Sequence, residues 1–302
     1  MHRYRHLMVG LNRTERDIGL IHYAAMIAQL GTAMEARFVH VLPAPGGPSA
    51  APDHDSALAA IQKEVASHFL NVPDRVKVYC DVLKGPLLDR ILTFITEQEV
   101  DLLLLGHRPD HPPGLGSLVR RLAMKAPCSV WVVPDGSPPS LRRILVPIDF
   151  SEPSADAMSV ATSMARLCGQ SEVLALHVYF NEAVVTYEEA DQLIRGEEQG
   201  AYECFIRPIN CQGVKVTPLF VEGANVARTI HRVAGEQGVD LKILATRGRS
   251  RSATILLGSV AEGVIIEART PVLIVKHFGA RLGLLQALLD RGFRRRTAPR
   301  FG

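Results

Sequence analysis

The chain lacks most of the signatures that would settle its class at a glance. Its five cysteines, Cys80, Cys128, Cys168, Cys204 and Cys211, are odd in number and form no Cys-x-x-Cys pair. That argues against a disulfide framework and leaves reduced, mostly buried thiols of a cytosolic protein as the expectation. No apolar run approaches the roughly 20 residues of a membrane span. The N-terminus, Met-His-Arg-Tyr-Arg-His-Leu-Met-Val-Gly, lacks the apolar segment that a secretory signal places before its cleavage site, so a cytoplasmic location is expected. Charge of one sign is scarce too. Residues 1–140 carry 14 basic and 14 acidic side chains, and residues 141–276 carry 14 and 16. The net +3 comes from residues 277–302, with 6 basic groups against 1 acidic, so neither half reads as a nucleic-acid binder.

What is present is a globular composition and an internal repeat. At 302 residues, 47% hydrophobic and 22% charged, the chain suits two domains of roughly 140 residues, each able to bury a core. Leu7-Met8-Val9-Gly10-Leu11-Asn12 aligns with Ile144-Leu145-Val146-Pro147-Ile148-Asp149 at an offset of 137, as His40-Val41-Leu42 does with His177-Val178-Tyr179. Val100-Asp101-Leu102 aligns with Val239-Asp240-Leu241 at 139, and Gly116-Ser117 with Gly258-Ser259 at 142. Apolar runs and helical spacing predict strands near 6–11, 34–42, 76–83, 100–106 and 129–133, then near 143–148, 172–179, 214–221, 240–245 and 271–276. Helices are predicted near 15–31, 55–70, 86–98 and 116–125, then near 152–168, 183–207, 225–237 and 258–268. Such alternation implies an α/β fold with a parallel sheet covered on both faces. Pro134-Asp135-Gly136-Ser137-Pro138-Pro139-Ser140 is the linker, giving domains at 1–134 and 141–277 and a tail at 278–302.

One stretch carries chemistry. Leu241 to Ala245 has the composition of a buried parallel strand; a polar loop broken by Gly248 follows, and a helical pattern begins after Gly258-Ser259. Val260, Val264 and Ala268 fall on one face of that helix. Strand, glycine loop and helix N-terminus together form a phosphate cradle, because glycines let backbone approach an anion and the first helical N–H groups point at it. The plainer alternative is a tight helix start with Ser259 as its cap.

This stretch resembles the nucleotide loop of the universal stress protein family, Gly-x2-Gly-x9-Gly-Ser/Thr, with Ala245 in place of the first glycine, Gly248 as the second, and Gly258-Ser259 closing it. The resemblance extends to both halves, and implies two tandem doubly wound five-stranded domains of strand order 3-2-1-4-5, of the adenine nucleotide alpha hydrolase-like type. It further implies that the second half binds ATP or another adenine nucleotide, with Mg2+ as an optional companion. The residues it assigns to the nucleotide are Pro147, Asp149, Val178, Ala245, Arg247, Gly248, Arg249, Gly258, Ser259 and Val260. Asp149 would take the ribose hydroxyls, and Arg249 is the best placed of three loop arginines to neutralise phosphate. The alternative for Asp149 is a cap on the helix at Glu152, which Ser151 could supply equally well. Ala245 adds a methyl where the motif brings backbone to ligand. The implied function is nucleotide-dependent stress signalling without catalysis, with the two fifth strands, Ser129 to Val133 and Val272 to Lys276, pairing within one chain and a homodimer left open.

The first half departs from the motif. Asn12 replaces the aspartate, Pro109 replaces the second glycine, and the loop is three residues shorter. Proline offers no N–H to a phosphate, so this copy is read as having lost nucleotide binding. His107 and His111 lie four apart, but Pro109, Pro112 and Pro113 oppose the helix that would align them on a metal, and no metal site is assigned. The tail, with Leu282, Leu285 and Leu289 before Arg291 and Arg294-Arg295-Arg296, reads as an amphipathic helix that packs on a domain in preference to a membrane surface. Two rival classes remain: an enzyme of the same architecture, such as a slow ATPase or adenylating enzyme, and a ligand-free interaction scaffold. Against the enzyme stand the missing Gly-Lys-Ser/Thr, His-Ile-Gly-His and Ser-Gly-Gly-x-Asp-Ser segments and the lack of a placed base or nucleophile.

Overall fold

In the computed structural model, residues 4–31, 33–43, 53–108, 113–180, 187–246 and 257–276 are described. The first half runs β1 (His6–Leu11), α1 (Asp17–Gln29), β2 (Glu35–Leu42), α2 (His54–His68), β3 (Lys77–Lys84), α3 (Leu87–Glu97), β4 (Leu102–His107), α4 (Pro113–Lys125) and β5 (Ser129–Pro134). The second runs β6 (Ile144–Ile148), α5 (Glu152–Leu167), β7 (Glu172–Tyr179), α6 (Tyr187–Ile206), β8 (Lys215–Glu222), α7 (Val226–Glu236), β9 (Leu241–Ala245), α8 (Ser259–Ile266) and β10 (Val272–Val275). All ten strands join one sheet in the order β3-β2-β1-β4-β5-β10-β9-β6-β7-β8. Each half is therefore a 3-2-1-4-5 sheet with parallel neighbours, and the halves meet where β5 pairs antiparallel with β10.

The sequence forms these elements for ordinary reasons. The central strands are continuous apolar runs because helices cover both faces of a parallel sheet. Leu102 to Leu105 and every residue of β5 and β10 are buried, whereas the two edge strands, β3 and β8, are mostly half-exposed. α5 starts where Ser151 caps it, its hydroxyl accepting from the Ser154 N–H, and Asn225 caps α7 in the same way through Arg228. α4 begins three residues earlier than the 116–125 expected from spacing, at Pro113, since proline tolerates the first helical position where no N–H is needed. Gly116-Ser117 thus lies inside α4, while Gly258-Ser259 stands at the start of α8. α8 stops at Ile266, two residues short of expectation, and Ala268 is buried beyond its end.

Two buried clusters fill the layers on either side of the sheet, and each spans both halves. One lies under α1, α2, α5 and α6, with Leu20, Ile61, Met158 and Phe205 among its members. The other lies under α3, α4, α7 and α8, with Ile91, Leu122, Ile230 and Val264. At the seam Trp131 pairs with Leu273 on the first face, while Val130 with Ile274 and Val132 with Val272 serve the second. Burying side chains of this kind contributes about 1.5–3 kcal/mol each. The seam is reinforced by polar contacts: Lys276 N–H donates to Ser129 Oγ at 3.2 Å, and its ammonium donates to the carbonyls of Met124 and Ala126. Arg120 of α4 also reaches Glu262 of α8 at 2.8 Å. Of the five cysteines, only Cys128 is buried and Cys204 is exposed, which corrects the expectation of mostly buried thiols. Among the described residues no helix is long and apolar enough to cross a membrane.

One core position is occupied by a charge-bearing group. Lys242 in β9 is 0% exposed, and its repeat counterpart in β4 is the equally buried Leu103. Its Nζ lies 3.1 Å from His231 Nδ1 on α7. Burial pulls the Lys242 ammonium down to about 7, and burial together with Lys242 pulls His231 down to about 4. Between those folded values and the ordinary ones, the unfolded chain binds protons that the native chain refuses, so both groups make stability rise with pH. For Lys242 the window runs from about 7 to 10.5, and below it the cost is fully present. Lys242→Leu is expected to stabilise the fold at pH 7 by a few kcal/mol, at about 1.4 kcal/mol per pKa unit, less the cost of leaving His231 without that partner. Urea unfolding of both proteins checks this, and the gain over wild type should shrink as pH approaches 10.5.

Candidate functional site

The strand order reverses at β6, which pairs with β7 on one side and β9 on the other: Leu145 faces Leu174, and Ile144 faces Leu241. Ligands of such sheets bind outside the carboxyl ends of the strands at the reversal. The chain leaving β6 is Asp149-Phe150-Ser151, and the chain leaving β9 is Thr246; both emerge at that point.

The turn after β6 is tightly built. Asp149 Oδ1 accepts from Ser151 Oγ at 2.5 Å, Ser154 Oγ at 2.5 Å and Ser151 N–H at 3.2 Å. The helix cap falls to Ser151, so the carboxylate is tied to the loop without capping α5 itself. Phe150 sits at φ +62°, a left-handed conformation that a non-glycine residue adopts only where the surroundings impose it. Its ring stacks on His177 at 4.4 Å and meets Phe205 edge-on at 5.8 Å. His177 Nδ1 is 2.9 Å from the carbonyl of Ile148, the last residue of β6, and its Nε2 is 3.2 Å from Glu198 of α6.

The first half repeats the scaffold with different polar groups. Arg13 occupies the same left-handed turn at φ +59°, and His40 Nδ1 lies 2.9 Å from Leu11 O, matching His177 and Ile148. The carboxylate has moved, however. Asp17, where the second half has Ser154, accepts from the N–H groups of Asn12 and Thr14 and is 1% exposed. Burial raises its pKa and those N–H groups oppose the rise.

At the end of β9, Gly258 N–H donates to Thr246 O at 2.7 Å, and Thr246 N–H to Val275 O at 3.3 Å. Gly258 is the N-cap of α8, extended at φ −72° and ψ 152°, and as a glycine it gives the helix no side-chain cap of its own. Ser259 is therefore its exposed first residue and not its cap. The first bond of α8 runs from Glu262 N–H to Gly258 O, which leaves the N–H groups of Ser259, Val260 and Ala261 without an intrahelical partner. The Gly258 N–H itself is spent on closing the loop.

Val178 and Val260 pack on the cluster beneath α7 and α8, so β7 and α8 contribute to the same face. Ala245 packs on the opposite cluster, beneath α5. Its methyl points away from the α8 face, so the departure from glycine adds no bulk there. Pro147 is half-buried in β6, opposite Leu176. Arg247, Gly248 and Arg249 lie outside the described residues, as do Pro109, His111 and the tail from residue 277. His107 is 5% exposed, with Nε2 3.3 Å from the Ile266 carbonyl across the seam. Among the described residues no group of three or more His, Cys, Asp or Glu could hold a metal. Sequence reasoning missed Phe150, Ser154 and Glu198; the repeat of His40 at His177 was the visible signal for the pinned turn.

The sequence profile of the Universal stress protein family matches residues 3–134 and 140–276. Universal stress protein MJ0577 of Methanocaldococcus jannaschii is 29% identical over 156 residues, covering 45% of this chain and 95% of that protein. Universal stress protein MJ0531 of the same organism is 33% identical over 141 residues, covering 45% and 82%. Among solved structures, a functionally unknown protein, PA1789 of Pseudomonas aeruginosa PAO1, superposes with a TM-score of 0.70 at 18% identity, over 96% of this chain and 98% of that one. A universal stress protein from Archaeoglobus fulgidus gives 0.64 at 19% identity, over 91% and 98%. At these identities the structures show the fold alone.

Removal of the Asp149 carboxylate should cost the turn three donors' worth of acceptor. Asp149→Ala is expected to lower unfolding free energy by about 1–3 kcal/mol in the absence of any ligand, measured by urea denaturation. An unchanged midpoint would mean that the turn does not depend on this side chain.

Proposed function

The chain belongs to the universal stress protein family, and from that premise we propose that its second half binds an adenine nucleotide, ATP in the first instance, and that the first half does not. The observation that carries this reading is that two segments leave the carboxyl ends of the neighbouring strands β6 and β9 where the strand order reverses. Asp149 follows β6, and the start of α8, with glycine at its N-cap, follows the β9 loop. A carboxylate accepts from ribose hydroxyls, and a helix start offers N–H groups and a favourable dipole to phosphate. Val178 and Val260 supply apolar surface on the same face for a base. Arg247, Gly248 and Arg249 belong to the reading through the family motif.

The first half lacks both poles. Asn12 stands where the carboxylate is needed, the Asp17 carboxylate is committed to backbone, and Gly116-Ser117 lies within α4 instead of at its start. The proposed work is binding and signalling in a stress response, in the cytoplasm and without robust turnover, since none of the described residues at the reversal is placed as a base or nucleophile. In the proposed arrangement the seam replaces the contact that two single-domain chains would have to make, and the nucleotide alters the surface that a partner meets.

Calorimetric titration is expected to give one ATP per chain. Gly258→Val should abolish binding, because its side chain occupies space where backbone meets phosphate. Asp149→Ala should weaken binding by about 10- to 100-fold, the loss of a hydrogen bond to a charged group. Two equivalent sites per chain, or affinity that survives Gly258→Val, would contradict the proposal, and a phosphate-release assay on the same samples separates binding from turnover.

A further inference from the structure

The first half contains a cavity whose rim includes Asn12, Gly106 and Arg108, the counterparts of Asp149, Ala245 and Arg247, and which extends from there beneath α1. It measures about 370 Å³ and opens between the N-terminal part of α1, the ends of β4 and β5, and the chain that follows β5. Leu20 and Val133 line it, and both belong to the cluster beneath α1. The cavity therefore lies on the face opposite α4, and is not the first-half counterpart of the Gly258 region, which sits on the α8 face.

Three charged side chains meet at its mouth. Arg16, the residue before α1, donates from Nη1 to Asp135 Oδ2 at 2.9 Å, and Arg108, the residue after β4, brings Nε to 3.6 Å from the same oxygen. Two guanidiniums from separate elements thus converge on one oxyanion, the arrangement by which arginines take carboxylate or phosphate. All three side chains are substantially exposed, at 51%, 44% and 30%, and ion pairs of that kind are weak enough to exchange. The backbone around Asp135 is held by other bonds: its N–H donates to His107 O at 2.9 Å, Gly136 turns at φ +75°, and the Tyr23 hydroxyl donates to Pro138 O at 2.5 Å. The carboxylate can swing away while the chain stays pinned. The neighbouring Asp17 is already committed to the N–H groups of Asn12 and Thr14, and does not compete for the arginines.

We infer that this cavity binds a small organic anion, a carboxylate or phosphate monoester, clamped by Arg16 and Arg108, with Asp135 as the internal anion that it displaces. The volume falls in the range of small-molecule sites. Asp135 belongs to the segment that joins β5 to β6, so displacement acts on the connection between the two halves. This inference stands apart from nucleotide binding by the second half.

The test is calorimetric titration of the full chain with phenyl phosphate and, separately, with benzoate. The expected result is saturable binding of at least one probe at one site per chain, and the preferred probe identifies the head group. Asp135→Asn should tighten it about fivefold by removing the competitor, and the double variant Arg16→Gln, Arg108→Gln should abolish it. A gain in affinity is not something a folding defect produces, and melting curves check the double variant. Gly258→Val should leave it unchanged, which separates this site from the nucleotide crevice. Failure of Asp135→Asn to bind either probe, or undiminished affinity in the double arginine variant, would overturn the inference.

Discussion

The antiparallel seam between β5 and β10 is the constraint on which the rest of the structure depends. Both strands are buried throughout, so neither half could expose its fifth strand to water without uncovering an apolar row and its unpaired backbone. Pairing them antiparallel turns one half over relative to the other within the plane of the sheet. That keeps α1, α2, α5 and α6 on one face and α3, α4, α7 and α8 on the other, and it makes each cluster continuous across the junction. It also sets β4 and β9 one strand away from the seam on either side, running in opposite directions, so the carboxyl ends of the strands of the two halves point opposite ways. His107 meeting the Ile266 carbonyl, and Arg120 meeting Glu262, are the direct contacts that follow.

Within that frame the two halves use one backbone solution for different ends. Arg13 and Phe150 hold the same left-handed turn, and His40 and His177 pin the preceding carbonyl at the same distance. What differs is which position of the turn carries the carboxylate. In the second half it is Asp149, bound to two serine hydroxyls; in the first it is Asp17, turned inward to backbone N–H groups. The same scaffold therefore presents an acidic rim at β6 and a neutral one, Asn12, at β1. The first half has instead gathered Arg16, Arg108 and Asp135 around a cavity on its other face.

Much of this was legible in the chain itself. Apolar runs bounded by glycine and proline located the strands to within about two residues, and the repeat offsets located the turns. The less legible features share a physical cause: a strand buried on both faces has no alternation to fix its phase. Nothing in Leu-Lys-Ile-Leu-Ala tells which way Ala245 points, and only the packing shows its methyl turned toward α5. The same holds for Lys242, whose burial against His231 a pattern of mostly apolar residues conceals. Ser259 looked like a cap by type, but the helix begins one residue earlier in register and Gly258 takes that position. Left-handed Phe150 carried no glycine to announce it, and its support comes from His177 and Phe205, which are distant in sequence.

Trp131, the chain's single tryptophan, lies in the seam opposite Leu273 and reports directly on whether the two halves behave as one sheet. The most direct measurement is urea unfolding followed by Trp131 fluorescence and by far-ultraviolet circular dichroism, with and without ATP. The account predicts coincident transitions that ATP shifts together to higher urea, although Trp131 belongs to the first half and the nucleotide to the second. A Trp131 transition that stays in place while the circular dichroism transition moves would contradict the seam as the coupling element, and transitions indifferent to ATP would contradict the nucleotide site.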